Sequence, residues 1–256
     1  MIKPAKKLTG DDMWSAVKAQ LAIDLNCSAD DLKGEGFVFC EAKENPGRRP
    51  FPRGERHFEM LTMGGAVIIS ATPDLLPYVR EQLEGKNRDD AFNMPFVYGV
   101  GICYLPDKPQ PLQKPDGFKF ELLERSDVLK LYDTCKHDDF PYALSYNIDH
   151  PRPDVLASTA TVNGEVVGIA GSSMDCEMMW QIGINVLPDY RKHGIAATLT
   201  NMLAIATLER GKIPYYATAP GNIASHRVAL KAGFKPAWTC VYRGLFDGKL
   251  TLPATG

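Results

Sequence analysis

Residues Arg191 to Gly194 have the clearest chemical potential in the chain, because they join a predicted strand to a predicted helix. The strand is the apolar run from Trp180 to Leu187, and the Pro188-Asp189 pair forces a turn after it. The first turn of a helix has backbone N–H groups without intrahelical partners, and the helix dipole makes that end positive. A glycine there lets a ligand approach the backbone closely. The pattern therefore predicts an anion site, and its size suits a pyrophosphate.

A helix is predicted after Gly194, because apolar residues recur at one-face spacing until Gly211 ends the run. These apolar residues are Ile195, Leu199, Met202 and Leu203. The small side chains of Ala196 and Ala197 leave the first turn of this helix uncrowded. Lys212 to Thr218 then predicts a strand, so the crossover back to the sheet is expected to be parallel.

The segment from Asn222 to Phe234 predicts a second, well-capped helix. Asn222 lies at the N-cap position, and Ser225 lies at the third helical position, where it can serve the same unsatisfied amides. Gly233 supplies a left-handed C-terminal cap, and Phe234 returns the chain to the core. The structural role of capping a helix is enough to explain these residue types, without any binding or catalytic role.

Together the two segments resemble the acyl-CoA signatures of the GNAT superfamily of N-acetyltransferases. The first is Arg-x-x-Gly-x-Ala after Val-Leu-Pro-x-Tyr, and the second is Asn-x-x-Ser with Lys-x-Gly-Phe, one strand later. The signatures span Trp180 to Phe234, and the order of predicted elements extends the resemblance over about residues 118 to 252. Residues 1–105 show no comparable match.

The resemblance implies acetyl-CoA as the cosubstrate and no metal. The pantetheine arm would lie along the edge of the first strand, which the next strand leaves unpaired by splaying away, and one backbone N–H there would polarise the thioester carbonyl. The pyrophosphate would lie on the helix start, where we expect His193 to act through its backbone N–H, and Asn222 would bond the arm. The cofactor residues implied are Ile184, Asn185, Val186, Arg191, Lys192, His193, Gly194, Ile195, Ala196, Ala197, Asn222 and Ser225.

The chemistry also needs a base, because an alkyl ammonium with a pKa of ~10.4 costs about 4.6 kcal/mol to deprotonate at pH 7. Glu177 is the predicted base, since the family often takes its base from this strand. Other candidates are Asp175, His137, Asp138, Asp139, Asp149 and His150. Within the strand itself the chain offers Gln181, whose neutral amide cannot act as a base.

A general acid is missing from the position where many family members carry a tyrosine, because that position is Ala229. Tyr215, Tyr216 and Tyr146 are the candidate substitutes, although packing explains these rings equally well.

Composition restricts the class of protein further. A formal net charge of −2 argues against a general nucleic-acid binder, and no apolar run approaches the ~20 residues that span a membrane. The N-terminus lacks the apolar stretch of a signal peptide, so we expect a cytoplasmic protein. The six cysteines include no Cys-x-x-Cys pair, which favours reduced thiols.

The predicted fold class is α/β, with a mixed sheet and a GNAT-like fold. Residues 1–105 are predicted to form an N-terminal α/β cap domain, and an alternative is a second, degenerate copy of the GNAT fold. Residues 106–117 are rich in proline and are predicted to be a linker, and residues 118–256 are predicted to be the acetyltransferase domain.

Three local predictions concern the first half. Asp11 or Asp12 is expected to cap a helix through Leu25, Phe58 to Ser70 is expected to be one buried strand, and Thr72 is expected to cap a helix with Pro73 at its first position. The arginine-rich loop after Asn45 could reach a phosphate, but local salt bridges are the preferred interpretation.

The predicted function is N-acetyl transfer from acetyl-CoA to an amine of a small molecule or peptide, by direct attack in a ternary complex. The alternative is a non-catalytic acyl-CoA-binding regulator or sensor. A nucleotide enzyme ranks below both, because neither Gly-x-Gly-x-x-Gly nor a phosphate-loop motif occurs. The sequence predicts neither an acceptor identity nor an oligomeric state.

Overall fold

The computed structural model describes residues 8–251, which contain six α-helices and eleven β-strands. The helices are α1 Gly10–Leu25, α2 Leu76–Leu83, α3 Arg88–Phe92, α4 Arg125–Thr134, α5 Ile195–Glu209 and α6 Ile223–Lys231. The strands are β1 Phe37–Glu41, β2 Phe58–Thr62, β3 Val67–Ala71, β4 Val97–Pro106, β5 Lys119–Glu124, β6 Asp154–Val162, β7 Glu165–Met174, β8 Met179–Val186, β9 Ile213–Thr218, β10 Phe234–Phe246 and β11 Lys249–Leu250.

The described chain divides into two compact units. Unit 1 comprises residues 8–13, 104–217 and 222–236, and unit 2 comprises residues 14–103, 218–221 and 237–251. The division falls just before the proline-rich segment, and the end of the chain belongs to unit 2. The predicted boundary at residues 106–117 stays a prediction. Residues 1–7 of the predicted first domain and residues 252–256 of the predicted acetyltransferase domain lie outside the described residues.

Unit 1 contains a mixed sheet in the order β5-β6-β7-β8-β9. The first three pairings are antiparallel, and β8 pairs with β9 in parallel, as the strand-helix-strand pattern predicted. The Asn163-Gly164 turn joins β6 to β7 with φ values of 51° and 86°, which is the left-handed geometry that a tight hairpin requires. The class is therefore mixed α/β, as predicted.

The two faces of this sheet carry different elements. Helix α5 covers one face, where Ser158 Oγ donates a hydrogen bond to the Leu199 carbonyl at 2.9 Å. Helix α4 and residues 137–150 cover the other face, in a core that includes Val128, Phe140 and Ile169. Because strand side chains alternate between faces, the odd-numbered positions Gly171 and Ser173 of β7 face residues 137–150.

The strands of unit 2 also combine parallel and antiparallel pairs. Strand β1 runs parallel to β3, and the pairs β3-β2, β2-β10 and β10-β11 are antiparallel. The pairing of β2 with β10 joins Met60–Thr62 to Thr239–Val241. The core includes Phe58, Phe96 and Phe246, whose rings are in mutual contact.

The expectation of one strand from Phe58 to Ser70 is wrong, because the Gly64-Gly65 pair turns the chain between β2 and β3. Helix α2 begins at Leu76 rather than at Pro73, since the Thr72 carbonyl accepts the Leu75 and Leu76 N–H groups in a preceding turn.

The cap of helix α1 also differs from the prediction. Thr9 is the capping residue: its Oγ1 accepts the Asp12 N–H at 3.1 Å, and Asp12 accepts the Thr9 N–H at 3.0 Å. The predicted apolar face of α1 is confirmed, since its members are buried. These are Met13, Val17, Leu21 and Leu25.

The arginine-rich loop is held by ion pairs, as preferred from the sequence, but the preferred interpretation of a solvated loop with local pairs is wrong for Arg49, whose partner lies 25 positions away. Arg49 Nε lies 2.6 Å from Asp24 Oδ2, and both side chains are buried. Arg48 and Arg53 both contact Glu44 at 3.3 Å. None of the helices in the described part of the chain is long and apolar enough to cross a bilayer. The six cysteines are free thiols.

Candidate functional site

The edge of β8 becomes available where β8 and β9 separate. Their parallel pairing runs from Met179–Ile213 to Ile182–Tyr216, whereas β8 itself continues to Val186. Gly183 to Val186 therefore extend beyond the parallel pairing found in the described residues. The end of the pairing at Ile182 is consistent with the splaying that the resemblance implies, which would leave backbone N–H and C=O groups along the edge of the strand.

The turn after β8 leads into α5 with two residues in left-handed conformations, Lys192 (φ 68°) and Gly194 (φ 84°). Arg191 Nε donates a hydrogen bond to the Val186 carbonyl at 3.0 Å and thereby ties the turn to the strand. The first intrahelical bond runs from the Thr198 N–H to the Gly194 carbonyl at 3.1 Å, and Gly194 supplies no side-chain cap. The N–H groups at this helix start can therefore bind an anion.

Two side chains border Gly194. A Cβ atom placed on Gly194 would lie 3.6 Å from Pro115 Cγ and 3.8 Å from Lys231 Nζ. Lys231 is the lysine of the Lys-x-Gly-Phe signature, but its place beside Gly194 was not predicted from the sequence, because only the packing of α6 against α5 brings it to the turn. The exposed His193 ring lies near Phe118 instead, with centroids 6.1 Å apart.

The proline-rich segment lies against this end of unit 1. The buried Asn201 side chain accepts the Leu112 N–H at 3.1 Å and donates to the Gln110 and Ala232 carbonyls, both at 3.0 Å. One α5 side chain thus fixes both the segment and the end of α6. Sequence reasoning missed Asn201, because nothing in a helical pattern marks an asparagine as a link to a distant segment.

The capping prediction for Asn222 is confirmed, since its Oδ1 accepts the Ser225 N–H at 3.2 Å. Ser225 also bonds the hydroxyl of Tyr216, whose pKa is raised by burial. Ala229 is fully buried, so the position that carries a tyrosine in many GNAT proteins is here part of the core.

A second phenol lies near the start of α6. The Tyr104 hydroxyl is 2.5 Å from His226 Nδ1, and burial raises the pKa of Tyr104. His226 lies three residues before Ala229, so both are on one face of the helix. Because Ala229 carries no polar group, the polar groups near this face of α6 are those of the strands and of the start of the helix.

Glu177, the predicted base, lies in the exposed turn before β8. Its side chain is 89% exposed, and its carboxylate lies 4.0 Å from Lys212 Nζ. The assignment stays a prediction, although this solvated position supplies no feature that would favour proton transfer over any surface carboxylate. The neighbouring candidate Asp175 has a different environment, because it is buried at the end of β7.

Asp175 is the centre of a polar cluster, defined here as the Asp175 cluster. Its carboxylate accepts hydrogen bonds from Tyr215 Oη and, at 2.9 Å, from Ser173 Oγ, and it lies 3.5 Å from an Arg152 guanidinium nitrogen. Gln181 Oε1 accepts from Tyr215 at 3.3 Å. Tyr215 and Gln181 are register partners one position before the strands separate, so the cluster adjoins the splayed edge.

Residues 137–150 bring the remaining candidates to the same face of the sheet without gathering them into one site. His137 and Asp138 form an exposed pair at 3.5 Å, and Asp139 and Asp149 are also exposed. His150 bonds the backbone of Arg152 and so shapes the turn.

Tyr146 packs against the rings of Tyr132 and His137. Burial raises its pKa, so the phenol stays protonated. Tyr132 donates to Asp154 at 2.6 Å, and burial together with this bond raises the pKa of Tyr132 to about 12. Asp154 also accepts from Ser145, which fixes this end of residues 137–150. The residues that the structure describes contain no group of three or more potential metal ligands.

Comparison with known proteins finds a family model that matches part of this unit. Residues 121–234 match the model of the acetyltransferase (GNAT) family. No curated protein matches the chain.

Several solved structures are similar to parts of the chain. One is a protein assigned to the GNAT family from Novosphingobium aromaticivorans, with 20% identity and a TM-score of 0.43, and the alignment covers 57% of this chain. This chain spans 65% of the length of that protein. A GCN5-related N-acetyltransferase-like protein from Streptococcus suis has 23% identity and a TM-score of 0.42, with 69% of this chain and 79% of that chain covered. The aminoglycoside N-acetyltransferase AAC(6')-Iy, solved with CoA, has 19% identity and a TM-score of 0.36, with 49% of this chain and 93% of that chain covered.

Proposed function

Since residues 121–234 form a GNAT acetyltransferase domain, we propose that the protein transfers an acetyl group from acetyl-CoA to an amine by direct attack in a ternary complex. The observation that carries the proposal is the separation of β8 from β9 after Ile182, directly before the open start of α5. A strand edge suits a chain of amides, and an open helix start suits a pyrophosphate.

The proposed cofactor site follows the chain from β8 into α5. Backbone groups of Ile184, Asn185 and Val186 bind the pantetheine arm. The pyrophosphate lies on the N–H groups of the turn and the first helical residues, which are Arg191, Lys192, His193, Gly194, Ile195, Ala196 and Ala197. Lys231 adds an ammonium beside Gly194, and Asn222 and Ser225 lie where α6 can contact the arm.

Acetyl-CoA supplies an activated acyl group, and the protein must supply proton transfers. We assign acceptance of the amine proton to the Asp175 cluster: the Tyr215 oxygen takes the amine proton and passes its own hydroxyl proton to Asp175. The guanidinium of Arg152 lies 3.5 Å from this carboxylate and holds it in place beside Tyr215. Glu177 is the competing assignment, and the steady-state rates of Asp175→Asn and Glu177→Gln distinguish the two.

The proton for the CoA thiolate needs a separate donor, because Ala229 has none. Tyr216 is the proposed donor, since it is the last residue of β9 that pairs with β8 and its raised pKa keeps the phenol protonated. Ser225 orients its hydroxyl.

The test of the proposed function combines binding and turnover. Calorimetry with acetyl-CoA measures the cofactor site, and a thiol reagent measures CoA release in the presence of a panel of small amines and peptides. Saturable acetyl-CoA binding with amine-dependent CoA release is expected. Absence of acetyl-CoA binding would overturn the assignment.

The second candidate is a non-catalytic acyl-CoA sensor, which the buried Ala229 favours because it removes the usual donor. Tight acetyl-CoA binding without CoA release across the panel would select the sensor over the enzyme.

A further inference from the structure

A pair of glycines lies where β7 and β8 face residues 137–150. Gly171 and Gly183 are register partners in the two strands. A Cβ atom on Gly171 would lie 1.9 Å from the Ala143 carbonyl oxygen, and one on Gly183 would lie 1.8 Å from the Tyr142 carbonyl oxygen. Any side chain at either position would therefore collide with this backbone. Glycine in a strand interior often marks such a close approach.

The backbone of Tyr142 is fixed on β8 by further contacts. Its N–H donates a hydrogen bond to Asn185 Oδ1 at 2.7 Å. Phe140, Ala143 and Leu144 on either side of it are buried in the core below. The side chain of Tyr142 itself is exposed, with a relative accessibility of 79%. The chain thus holds the backbone of Tyr142 in place while its ring remains in solvent.

The backbone of Tyr142 contacts β8 beside the splayed edge, residues 183–186. Its carbonyl lies on Gly183, the residue directly after the last parallel pair, and its N–H bonds the side chain of Asn185. Gln181, Gly183 and Asn185 share one face of β8 because strand side chains alternate. Tyr142 therefore lies next to the Asp175 cluster, on the face of β8 from which an acceptor would approach the splayed edge.

We propose that Tyr142 is a specificity-determining contact for the acceptor, and that it favours a primary amine carried on an aromatic or flat apolar group. The proposal rests on the proposed transferase function and names its substrate class. A tyrosine ring offers a large rigid face for stacking at low entropic cost, and it attracts a cationic amine. Gly183 and Asn185 position this ring, since they fix the backbone that carries it.

The experiment uses the full chain and two primary amines as probes. 2-Phenylethylamine carries a ring, and ethanolamine has the same two-carbon spacer to its amine but lacks the ring. Steady-state rates of CoA release are measured for the parent, Tyr142→Ala, Tyr142→Phe and Leu122→Ala. Leu122→Ala removes another exposed apolar side chain of unit 1, from β5, and serves as the matched control.

The expected result is an increase of about tenfold in KM for 2-phenylethylamine in Tyr142→Ala, because one aromatic contact and its buried area are lost. KM for ethanolamine and the Kd of acetyl-CoA remain at the parental values. Tyr142→Phe keeps most of the affinity for the ring-bearing amine, and Leu122→Ala changes none of these constants.

Two results would overturn the inference while the transferase assignment stands. One is an equal effect of Tyr142→Ala on both amines, or no effect on either. The other is binding of acetyl-CoA by a parent protein that acetylates neither probe. A parent that fails to bind acetyl-CoA would instead overturn the proposed function.

Discussion

Substitution of Gly194 by aspartate or asparagine isolates the electrostatic part of the proposed pyrophosphate site. Both side chains have nearly the same shape, and both tolerate the left-handed backbone that Gly194 adopts at φ 84°. Neither is excluded by space, since the nearest atoms to a Cβ at this position are Pro115 Cγ at 3.6 Å and Lys231 Nζ at 3.8 Å. The two variants therefore differ mainly in one negative charge.

The magnitude follows from that charge. Two like charges about 4 Å apart repel by about 4 kcal/mol at an effective dielectric constant of 20. The aspartate would also pair with Lys231, so the site loses an ammonium as well as gaining a carboxylate. Salt and solvent reduce the net effect to roughly 2 kcal/mol, which corresponds to about 30-fold in Kd.

Calorimetric titration of acetyl-CoA into the two variants and the parent measures this difference. Gly194→Asn is expected to bind several-fold more weakly than the parent, and Gly194→Asp about 30-fold more weakly than Gly194→Asn. The gap should narrow as the salt concentration rises, since screening weakens the repulsion. Equal Kd values for the two variants would refute an anion site at Gly194.

Three further predictions concern catalysis and stability. Asp175→Asn is expected to lower kcat about 100-fold while Glu177→Gln leaves it unchanged, and the reverse order in steady-state rates would restore Glu177 as the base. Asp24→Asn should lower the free energy of unfolding by about 3 kcal/mol in urea titrations, because it removes a buried carboxylate that pairs with the guanidinium of Arg49. A loss below about 1 kcal/mol would contradict this expectation. Burial raises the pKa of Cys27 from 9.0 to about 12, so the unfolded chain loses the thiol proton at a lower pH than the folded chain, and the free energy of unfolding should fall as the pH rises between these values. Cys27→Ser should make this fall shallower in urea titrations. An unchanged pH dependence in the variant would show that the Cys27 thiol is not its cause.

The elements around the site could be predicted because short-range patterns define them. The one-face spacing after Gly194 and the cap at Asn222 each depend on a few adjacent residues, and the structure confirms both elements. The parallel return into β9 followed from the strand-helix-strand order.

The contacts that complete the site could not be predicted, because they join residues distant in sequence. Lys231 reaches Gly194 through helix packing, and Asn201 holds a segment about 90 positions away. Tyr215 and Asp175 were both candidates, but only the register of β8 and β9 places the phenol on the carboxylate. Asp175 is buried whereas Glu177 is exposed, but this difference cannot be seen in the sequence, where the two acids lie in the same turn.

The pairing of β2 with β10 affects how the gene can be divided. A recombinant fragment that begins at the proline-rich segment would keep Thr239–Val241 but lose Met60–Thr62, its hydrogen-bonding neighbours. The edge of β10 would then expose unpaired backbone N–H and C=O groups to other molecules, which commonly leads to aggregation and inclusion bodies. Expression of the catalytic half alone therefore calls for either the complete polypeptide or a redesigned terminus.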